Sequence, residues 1–267
     1  MPDHLSNRPV AVVTGASAGI GAVYAQRLAA RGFDLILVAR RVHRLAALSK
    51  EVQKGYGTEV EIVAADLTDS TDLSRVERLV AGDTRVTMLV NNAGNSKLAP
   101  LASTSTEEAA SMIALNITAL TRLTQAVLPG FRARKSGSII NVASVLALHS
   151  LPISGVYSGT KGYVLNFSRA LQAELAETGV KVQIVLPATT ATELWDIAGV
   201  PLSQLDQSSI MTAENMVDAA LAGLDQNEPV TLPSVDDAGL WNAYDTARRN
   251  LFAATQTGRP AFRYGVK

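Results

Sequence analysis

Short apolar segments alternate with longer amphipathic segments along most of this chain, and this alternation limits the folds open to it. Seven segments rich in Val, Ile and Leu predict strands at residues 9–14, 34–38, 59–64, 87–90, 138–142, 180–186 and 229–232. Helical periodicity predicts helices at residues 20–31, 42–54, 69–81, 106–128, 156–177, 213–224 and 238–254. Nearly continuous apolar strands are typical of parallel sheets that are covered on both faces. The alternation therefore predicts an α/β fold with a doubly wound parallel sheet of about seven strands.

The organisation along the chain predicts a single domain covering residues 1–267, because no linker or repeat interrupts the strand–helix alternation. The right-handed crossover rule then leaves few topologies for the sheet. The longest interruption, residues 188–211, joins a strand to a helix and lacks clear periodicity. Long connections of this kind are often functional, so we expect a lid over a binding site. A merely irregular connection is the alternative.

Composition excludes several classes of function. Lys and Arg together number 24, as do Asp and Glu, so the net charge is zero and no nucleic-acid partner is expected. The chain has no cysteine and only three scattered histidines, so we expect no disulfide and no metal site. Residues 1–8 contain no apolar core of a signal peptide, and no apolar run reaches the ~20 residues of a membrane helix. These features predict a soluble, cytoplasmic protein without a membrane partner.

A glycine-rich turn follows the first predicted strand and opens the first predicted helix. It contains Gly15, Gly19 and Gly21, spaced Gly-x-x-x-Gly-x-Gly rather than the standard Gly-x-Gly-x-x-Gly. Glycines permit a tight turn and let the backbone approach a pyrophosphate, which the helix N-terminus then attracts. Such a turn alone is a weak signal, and ordinary turn chemistry is the alternative. Its place at the first strand–helix junction favours a dinucleotide site.

The end of the second predicted strand favours NADP over NAD. A carboxylate at this position would accept hydrogen bonds from the adenosine ribose and select NAD. The strand instead ends in Arg40 and Arg41, whose guanidinium groups suit the 2′-phosphate of NADP. Asp34 lies at the opposite end of the strand. The alternative is a solvated basic start to the next helix, since Arg44 follows nearby.

Three further side chains form a candidate catalytic set. Tyr157 and Lys161 are spaced i and i+4, on one face of a predicted helix. An ammonium near a phenol lowers its pKa, so the tyrosine could exchange a proton with a carbonyl or alcohol oxygen. Ser144 follows a predicted buried strand, at the edge where ligands bind in open α/β sheets. A Tyr-x-x-x-Lys pair alone also occurs by chance.

Taken together and in order, these motifs resemble the short-chain dehydrogenase/reductase family in its single-domain form, which has a Rossmann-type fold. The match continues through Asp66-Leu67, Asn91-Asn92-Ala93-Gly94 and Asn116, and runs from residue 10 to about residue 192. The resemblance implies catalytic roles for Asn116, Ser144, Tyr157 and Lys161. Tyr157 would be the general acid/base, Lys161 would lower its pKa, Ser144 would orient the substrate oxygen, and Asn116 would hold a relay water.

The resemblance also implies a set of cofactor contacts. They are Gly15, Ser17, Gly19, Ile20, Gly21, Arg40, Arg41, Asp66, Leu67, Asn92, Ala93, Gly94, Tyr157, Lys161, Pro187, Thr190 and Thr192. Two departures from the family pattern stand out. Ala188 replaces the usual glycine after Pro187, which would strain the backbone if a positive φ were needed. Ala18 replaces a basic residue common in NADP-using members, so NADP selection would depend mainly on Arg40 and Arg41.

The implied activity is NADP(H)-dependent interconversion of a ketone or aldehyde and an alcohol, and we expect carbonyl reduction. Residues near the substrate oxygen, by resemblance, are Asn95, Val145 and Leu146, to which the lid adds Leu194 and Trp195. Most of these are apolar, which favours an apolar or mixed small-molecule substrate; packing within the lid is the alternative for Leu194 and Trp195. A homodimer or homotetramer is also implied.

Three other functions compete with this interpretation. A catalytically silent NADP-binding regulator would need no Asn116–Ser144–Tyr157–Lys161 set. A sugar-nucleotide epimerase or dehydratase of the extended branch would carry a Gly-x-x-Gly-x-x-Gly turn and a larger C-terminal domain, neither of which this chain has. A structural module would leave the ordered motifs unexplained.

Overall fold

The computed structural model describes residues 8–266 and contains a seven-stranded parallel sheet. The strands are β1 (Val10–Thr14), β2 (Asp34–Ala39), β3 (Val60–Ala64), β4 (Val86–Asn91), β5 (Gly137–Val142), β6 (Val180–Val185) and β7 (Val230–Thr231). All seven predicted strands are confirmed, and so is the doubly wound α/β fold. The expected lack of a signal peptide concerns residues 1–8, which apart from Arg8 lie outside the described residues.

The strand order positions a ligand crevice at the centre of the sheet. The order is β3-β2-β1-β4-β5-β6-β7, so successive strands run outward from β1 on one side and from β4 on the other. β1 pairs with β2 from Val10 opposite Asp34, and with β4 through Val13 opposite Val90. At such a reversal the loops after neighbouring strands diverge, which opens a crevice at the carboxyl edge.

Two apolar layers cover the sheet, one on each face. Alternate residues of β1 point to opposite sides, so Ala11 and Val13 belong to one buried cluster and Val10 and Val12 to the other. The first layer is formed with helices α1 (Gly19–Ala30), α2 (Val42–Tyr56) and α8 (Ala213–Asp225). The second is formed with α3 (Ser70–Gly82), α5 (Leu120–Arg134) and α6 (Gly155–Glu174). Burial on both faces explains why the strands read as continuous apolar runs.

The predicted helix at residues 106–128 differs from the structure. It divides into α4 (Thr106–Ile113), a π-helical turn (Ala114–Ala119) and α5, which continues past Pro129 to Arg134. A widened turn changes the direction of the side chains that follow it, and such turns are common at functional sites. Periodicity predicts helix across the segment but carries no signal for the added residue in the π turn.

Residues 188–211 form an ordered connection closed at its base. Thr190 pairs with Met211, whose amide donates to the Thr189 carbonyl at 2.9 Å and whose carbonyl accepts from Ala191 N–H at 2.8 Å. Between these ends lies the short helix α7 (Leu194–Ala198), which the sequence pattern does not predict. We call residues 188–211 the lid segment; that it moves over a substrate stays a prediction.

The chain divides into two compact units, Met1–Pro233 and Ser234–Lys267. The first contains the sheet. The second contains helix α9 (Ala238–Ala254), whose N-terminus is capped by Asp237 accepting from Gly239 N–H at 2.8 Å. The expectation of one catalytic domain over residues 1–267 stays a prediction. Across residues 8–266, every helix is too short or too polar to cross a membrane.

Candidate active site

The candidate catalytic side chains meet at the carboxyl edge of β5. Tyr157 and Lys161 lie one turn apart on α6, and Ser144 follows β5 directly. All three are buried, with 9%, 6% and 8% of their surface exposed. Lys161 donates an Nζ hydrogen bond to the Val142 carbonyl at 2.8 Å, which ties the α6 pair to the end of the strand. The structure thus brings together three residues that the sequence spreads over 18 positions.

Burial controls the proton affinity of both α6 side chains. It raises the pKa of the Tyr157 phenol to about 12, although a hydrogen bond with Ser144 opposes that rise. It lowers the pKa of the Lys161 ammonium to about 8. In both groups burial disfavours the charged form. The Lys161 Nζ lies 5.7 Å from the Tyr157 ring centroid, and burial outweighs the lowering of the phenol pKa expected from its charge.

Asn116 lies in the π-helical turn, against the part of α6 that carries Tyr157 and Lys161. Its side-chain amide donates to the Asn95 carbonyl at 2.9 Å and to Thr160 Oγ1 at 3.0 Å, and its Oδ1 accepts from Asn95 N–H at 3.0 Å. A Cβ placed on Gly94 would lie 3.1 Å from Asn116 Oδ1 and 3.7 Å from Lys161 Nζ. The loop after β4, the π turn and α6 therefore converge at one point.

The glycine turn lies between two backbone segments that leave no room for larger side chains. A Cβ on Gly21 would come within 2.4 Å of the Gly15 carbonyl oxygen. Gly19 has a φ of +52°, and a Cβ there would lie 2.9 Å from Thr192 Cγ2. Asn92 fixes the other side by donating to the Thr14 carbonyl at 2.9 Å. The turn thus contacts the loop after β4 and the start of the lid segment.

Arg40 and Arg41 lie at the carboxyl end of β2, as predicted, and each faces a carboxylate. Arg40 Nη1 is 3.6 Å from Asp66 Oδ2, beyond the end of β3. Arg41 Nη1 is 2.7 Å from Glu193 Oε2 and its Nε donates to Ser17 Oγ at 3.2 Å. Arg40 is largely exposed and Arg41 half-buried. The basic end of β2 is therefore an ionic cluster, open to solvent and next to the glycine turn.

The loop after β6 adopts its path without backbone strain. Within residues 8–266, the non-glycine residues with positive φ are Lys135 and Asn227, so Ala188 is unstrained where the family pattern has glycine. The Pro187 carbonyl accepts from Val145 N–H at 3.0 Å, which joins this loop to the turn after Ser144. Thr192 lies against the glycine turn, as its contact with Gly19 shows. Replacing glycine by alanine is harmless to this backbone.

Of the residues predicted near a substrate, Val145 and Leu146 lie beside Ser144, and Asn95 and Trp195 have protein partners of their own. Val145 and Leu146 are half-buried and follow Ser144 in a short turn. Asn95 donates its side-chain amide to Ser111 Oγ at 2.9 Å. Trp195, beside Leu194 in α7, donates its indole N–H to the Thr190 carbonyl at 2.9 Å. The indole N–H of Trp195 is thus bound to another residue of the lid segment.

Two residues of the ionic cluster are absent from the sequence-based site. Arg44 lies one turn after Arg41 on α2, and its Nη1 is 2.5 Å from Glu193 Oε1. Glu193 comes from the far end of the chain, at a separation of 149 residues from Arg44. The i, i+3 spacing of the arginines was a signal for Arg44, whereas no local pattern indicates Glu193. Among residues 8–266, no group of acidic and histidine side chains could hold a metal ion.

Comparison with known proteins adds a family assignment to this geometry. A family model described as short chain dehydrogenase matches residues 9–198. The very-long-chain 3-oxoacyl-CoA reductase-A of Danio rerio is 36% identical over 208 residues, which are 76% of this chain and 65% of that protein. The chain therefore spans just under two thirds of that relative's length.

Two solved structures are similar over nearly their whole length. A short-chain dehydrogenase from Sphingobium yanoikuyae in complex with NADPH is 42% identical with a TM-score of 0.92, covering 95% of this chain and 98% of that one. A bulky-bulky ketone specific alcohol dehydrogenase from Comamonas testosteroni is 36% identical with a TM-score of 0.88, covering 97% and 99%. The likeness therefore extends beyond the residues matched by the family model.

Proposed function

The chain belongs to the short-chain dehydrogenase family, and on that basis we propose that it is an NADP(H)-dependent oxidoreductase interconverting a carbonyl compound and an alcohol. The observation that carries the proposal is that Ser144, Tyr157 and Lys161 are all buried and lie together at the carboxyl edge of β5. Burying the charged amine of Lys161 is costly, and burial also makes the phenol of Tyr157 harder to ionise. Strongly perturbed titratable groups in a cleft are typical of acid–base sites.

The residues at the sheet edge suit a phosphorylated dinucleotide. The N-cap of α1 is Ala18, which offers no side-chain acceptor, and no acidic residue lies in the first turn. The first amide groups of α1 are thus available to an anion, next to a glycine turn too crowded for side chains. Arg40 and Arg41 add positive charge at the end of β2, where an adenosine 2′-phosphate would lie.

The proposed chemistry divides between cofactor and protein. The nicotinamide, when bound, supplies or accepts the hydride. Tyr157 donates its phenolic proton to the substrate oxygen during reduction, and the Ser144 hydroxyl holds that oxygen by a hydrogen bond. Lys161 provides positive charge beside the phenolate that results, which lowers the cost of losing the proton. Asn116 fixes the loop after β4 through its three hydrogen bonds, and we assign it the relay that restores the proton.

For the substrate we propose a ketone with apolar groups on both sides of the carbonyl. Val145 and Leu146, which follow Ser144, and Leu194 of the lid segment are apolar and half-buried. The ketone-specific dehydrogenase from Comamonas testosteroni matches this chain from end to end. Reduction is the proposed direction, and the cytoplasm the proposed location.

Cofactor titration combined with a substrate panel tests this function. NADPH and NADH are titrated by fluorescence, and ketones of increasing bulk are then scored by loss of NADPH absorbance. We expect NADPH to bind at least tenfold more tightly than NADH and bulky ketones to be turned over. Binding without turnover of any carbonyl would favour the regulatory alternative. Failure to bind either cofactor would refute the assignment.

We also propose that the protein is a homodimer or homotetramer. Ile113 at the end of α4 and Tyr163 on α6 are exposed, with 47% and 37% of their surface accessible. Tyr163 is held flat against Phe167, with ring centroids 5.6 Å apart, which gives an apolar patch on α6. Light scattering should give a multiple of the 28.1 kDa chain mass, and a strict monomer would contradict this proposal.

A further inference from the structure

The carboxylate of Glu193 is shared between two arginines of α2 and its N-cap. Arg41 approaches Oε2 at 2.7 Å and Arg44 approaches Oε1 at 2.5 Å, so each oxygen has its own guanidinium. Both guanidiniums lower the pKa of Glu193, which is therefore ionised at neutral pH. Two arginines on one anion is the arrangement proteins use for phosphate as well as for carboxylate.

Glu193 also occupies a junction between three elements of the site. It follows Thr192, whose methyl group lies against Gly19 of the glycine turn, and it immediately precedes α7 of the lid segment. Arg41, its partner, also donates to Ser17 in the same turn. The ion pairs thus join the first residues of the lid segment to the end of β2, where we place the cofactor phosphate.

On the basis of the proposed function, we propose that Glu193 is a latch that responds to the 2′-phosphate of the cofactor. Its carboxylate competes with the 2′-phosphate of NADP(H) for Arg41 and Arg44. When NADP(H) binds, its 2′-phosphate replaces the carboxylate on the two arginines and releases the start of the lid segment. NAD(H) lacks the 2′-phosphate and leaves the ion pairs in place. The exchange costs NADP(H) part of its binding free energy, and in return the start of α7 is freed only when the 2′-phosphate is bound.

Replacing Glu193 by glutamine tests the competition directly. Glu193→Gln keeps the shape but removes the charge, so we expect the Kd of NADPH to fall about two- to fivefold, the range of solvent-exposed ion pairs. The Kd of NADH should change less than about twofold. Asp196→Asn is the matched control, because it removes one negative charge from the same helix and Asp196 forms no ion pair within residues 8–266.

Hydrogen exchange of the lid segment provides a measurement independent of turnover. Peptides covering residues 193–200 are followed with adenosine 2′,5′-bisphosphate and with adenosine 5′-monophosphate, which lacks the 2′-phosphate. In the unmodified protein we expect these peptides to exchange faster with the bisphosphate than without nucleotide, and no faster with the monophosphate. In Glu193→Gln the fast exchange should be present without any nucleotide, and in Asp196→Asn it should match the unmodified protein.

The outcomes separate this inference from the proposed function. If the unmodified protein does not prefer the bisphosphate to the monophosphate, the NADP(H) assignment fails. If it has that preference but Glu193→Gln binds NADPH as before or more weakly, Glu193 is not a competitor and the latch is refuted. Unchanged exchange of residues 193–200 in both nucleotide experiments would also refute it.

Discussion

Two ends of the same sheet edge use charge in opposite ways. At the end of β5, Lys161 and Tyr157 have 6% and 9% of their surface exposed, and the pKa of each is shifted chiefly by burial. At the end of β2, the Arg40 side chain is 72% exposed and pairs with Asp66, and the Glu193 side chain is 47% exposed and pairs with Arg41. The first region is a fixed pocket within the core, and the second is an ionic cluster in contact with water.

This difference indicates where single amino-acid substitutions should have large effects on activity or binding. Buried groups interact strongly because water does not screen them, and they cannot find substitutes when a partner is lost. Exposed ion pairs are individually weak, and one anion can replace another at little cost. We therefore expect chemistry and pH dependence to be controlled at β5 and α6, and cofactor selection to be graded and exchangeable at β2.

The largest effect should follow removal of the Tyr157 hydroxyl. Tyr157→Phe preserves the ring in its pocket but removes the proposed proton donor, so we expect turnover to fall ~10²–10⁴-fold. NADPH binding, measured by fluorescence titration, should be retained. Tyr163→Phe is the matched control, because the Tyr163 hydroxyl lies on the same helix and contacts Thr121 Oγ1 at 2.9 Å. Equal turnover in the two variants would remove Tyr157 from the mechanism.

A smaller effect should appear in the pH dependence of stability. The pKa of Lys161 falls from 10.5 to about 8 in the folded protein. Below pH 8 both states hold the proton, so the fold carries the full cost of burying the charge. Between pH 8 and 10.5 the folded state loses the proton first, so the unfolded state binds more protons and stability rises with pH. Tyr157, whose pKa rises from 10 to about 12, opposes this only above pH 10.

Urea unfolding of the unmodified protein and of Lys161→Met measures this contribution. Between about pH 7 and about pH 9.5, the free energy of unfolding of the unmodified protein should gain ~2 kcal/mol relative to Lys161→Met. The comparison between variants cancels groups that titrate equally in both. Parallel pH profiles would show that Lys161 has an ordinary pKa in the folded protein, and the contrast between the two ends of the sheet would then be wrong.

The same contrast explains how far sequence alone predicts this molecule. The strands are predictable because burial on both faces leaves a continuous apolar run, as in the segment from Val180 to Val185. Two other features are not predictable from the sequence, the π-helical turn around Asn116 and the passage of α5 through Pro129. In both, tertiary packing overrides the local preference of the segment.

The predicted site follows the same division. Residue type and spacing predict Ser144, Tyr157 and Lys161, and the topology of the sheet explains why they lie close together. Glu193 carries no such signal, because its partners Arg41 and Arg44 are about 150 positions away in the chain. Spacing also predicts the wrong direction for the pKa of Tyr157, since it counts the charge of Lys161 but not the burial of the pocket.

The smallest effect should come from Arg40 in the exposed cluster. Its guanidinium is 3.6 Å from Asp66, so Arg40→Ala removes a weak pair and one proposed phosphate contact. Because an exposed charge pair contributes about 1 kcal/mol at most, we expect the Kd of NADPH to rise about fivefold and that of NADH to change less than about twofold. Arg31→Ala is the control, because it removes another guanidinium that forms an ion pair at the surface, with Asp225 at 2.9 Å, and it should leave both constants unchanged. A loss for NADPH and NADH alike would assign Arg40 to the adenosine rather than to the 2′-phosphate. A loss above about a hundredfold would show that this cluster acts as a fixed site, like the pocket at β5.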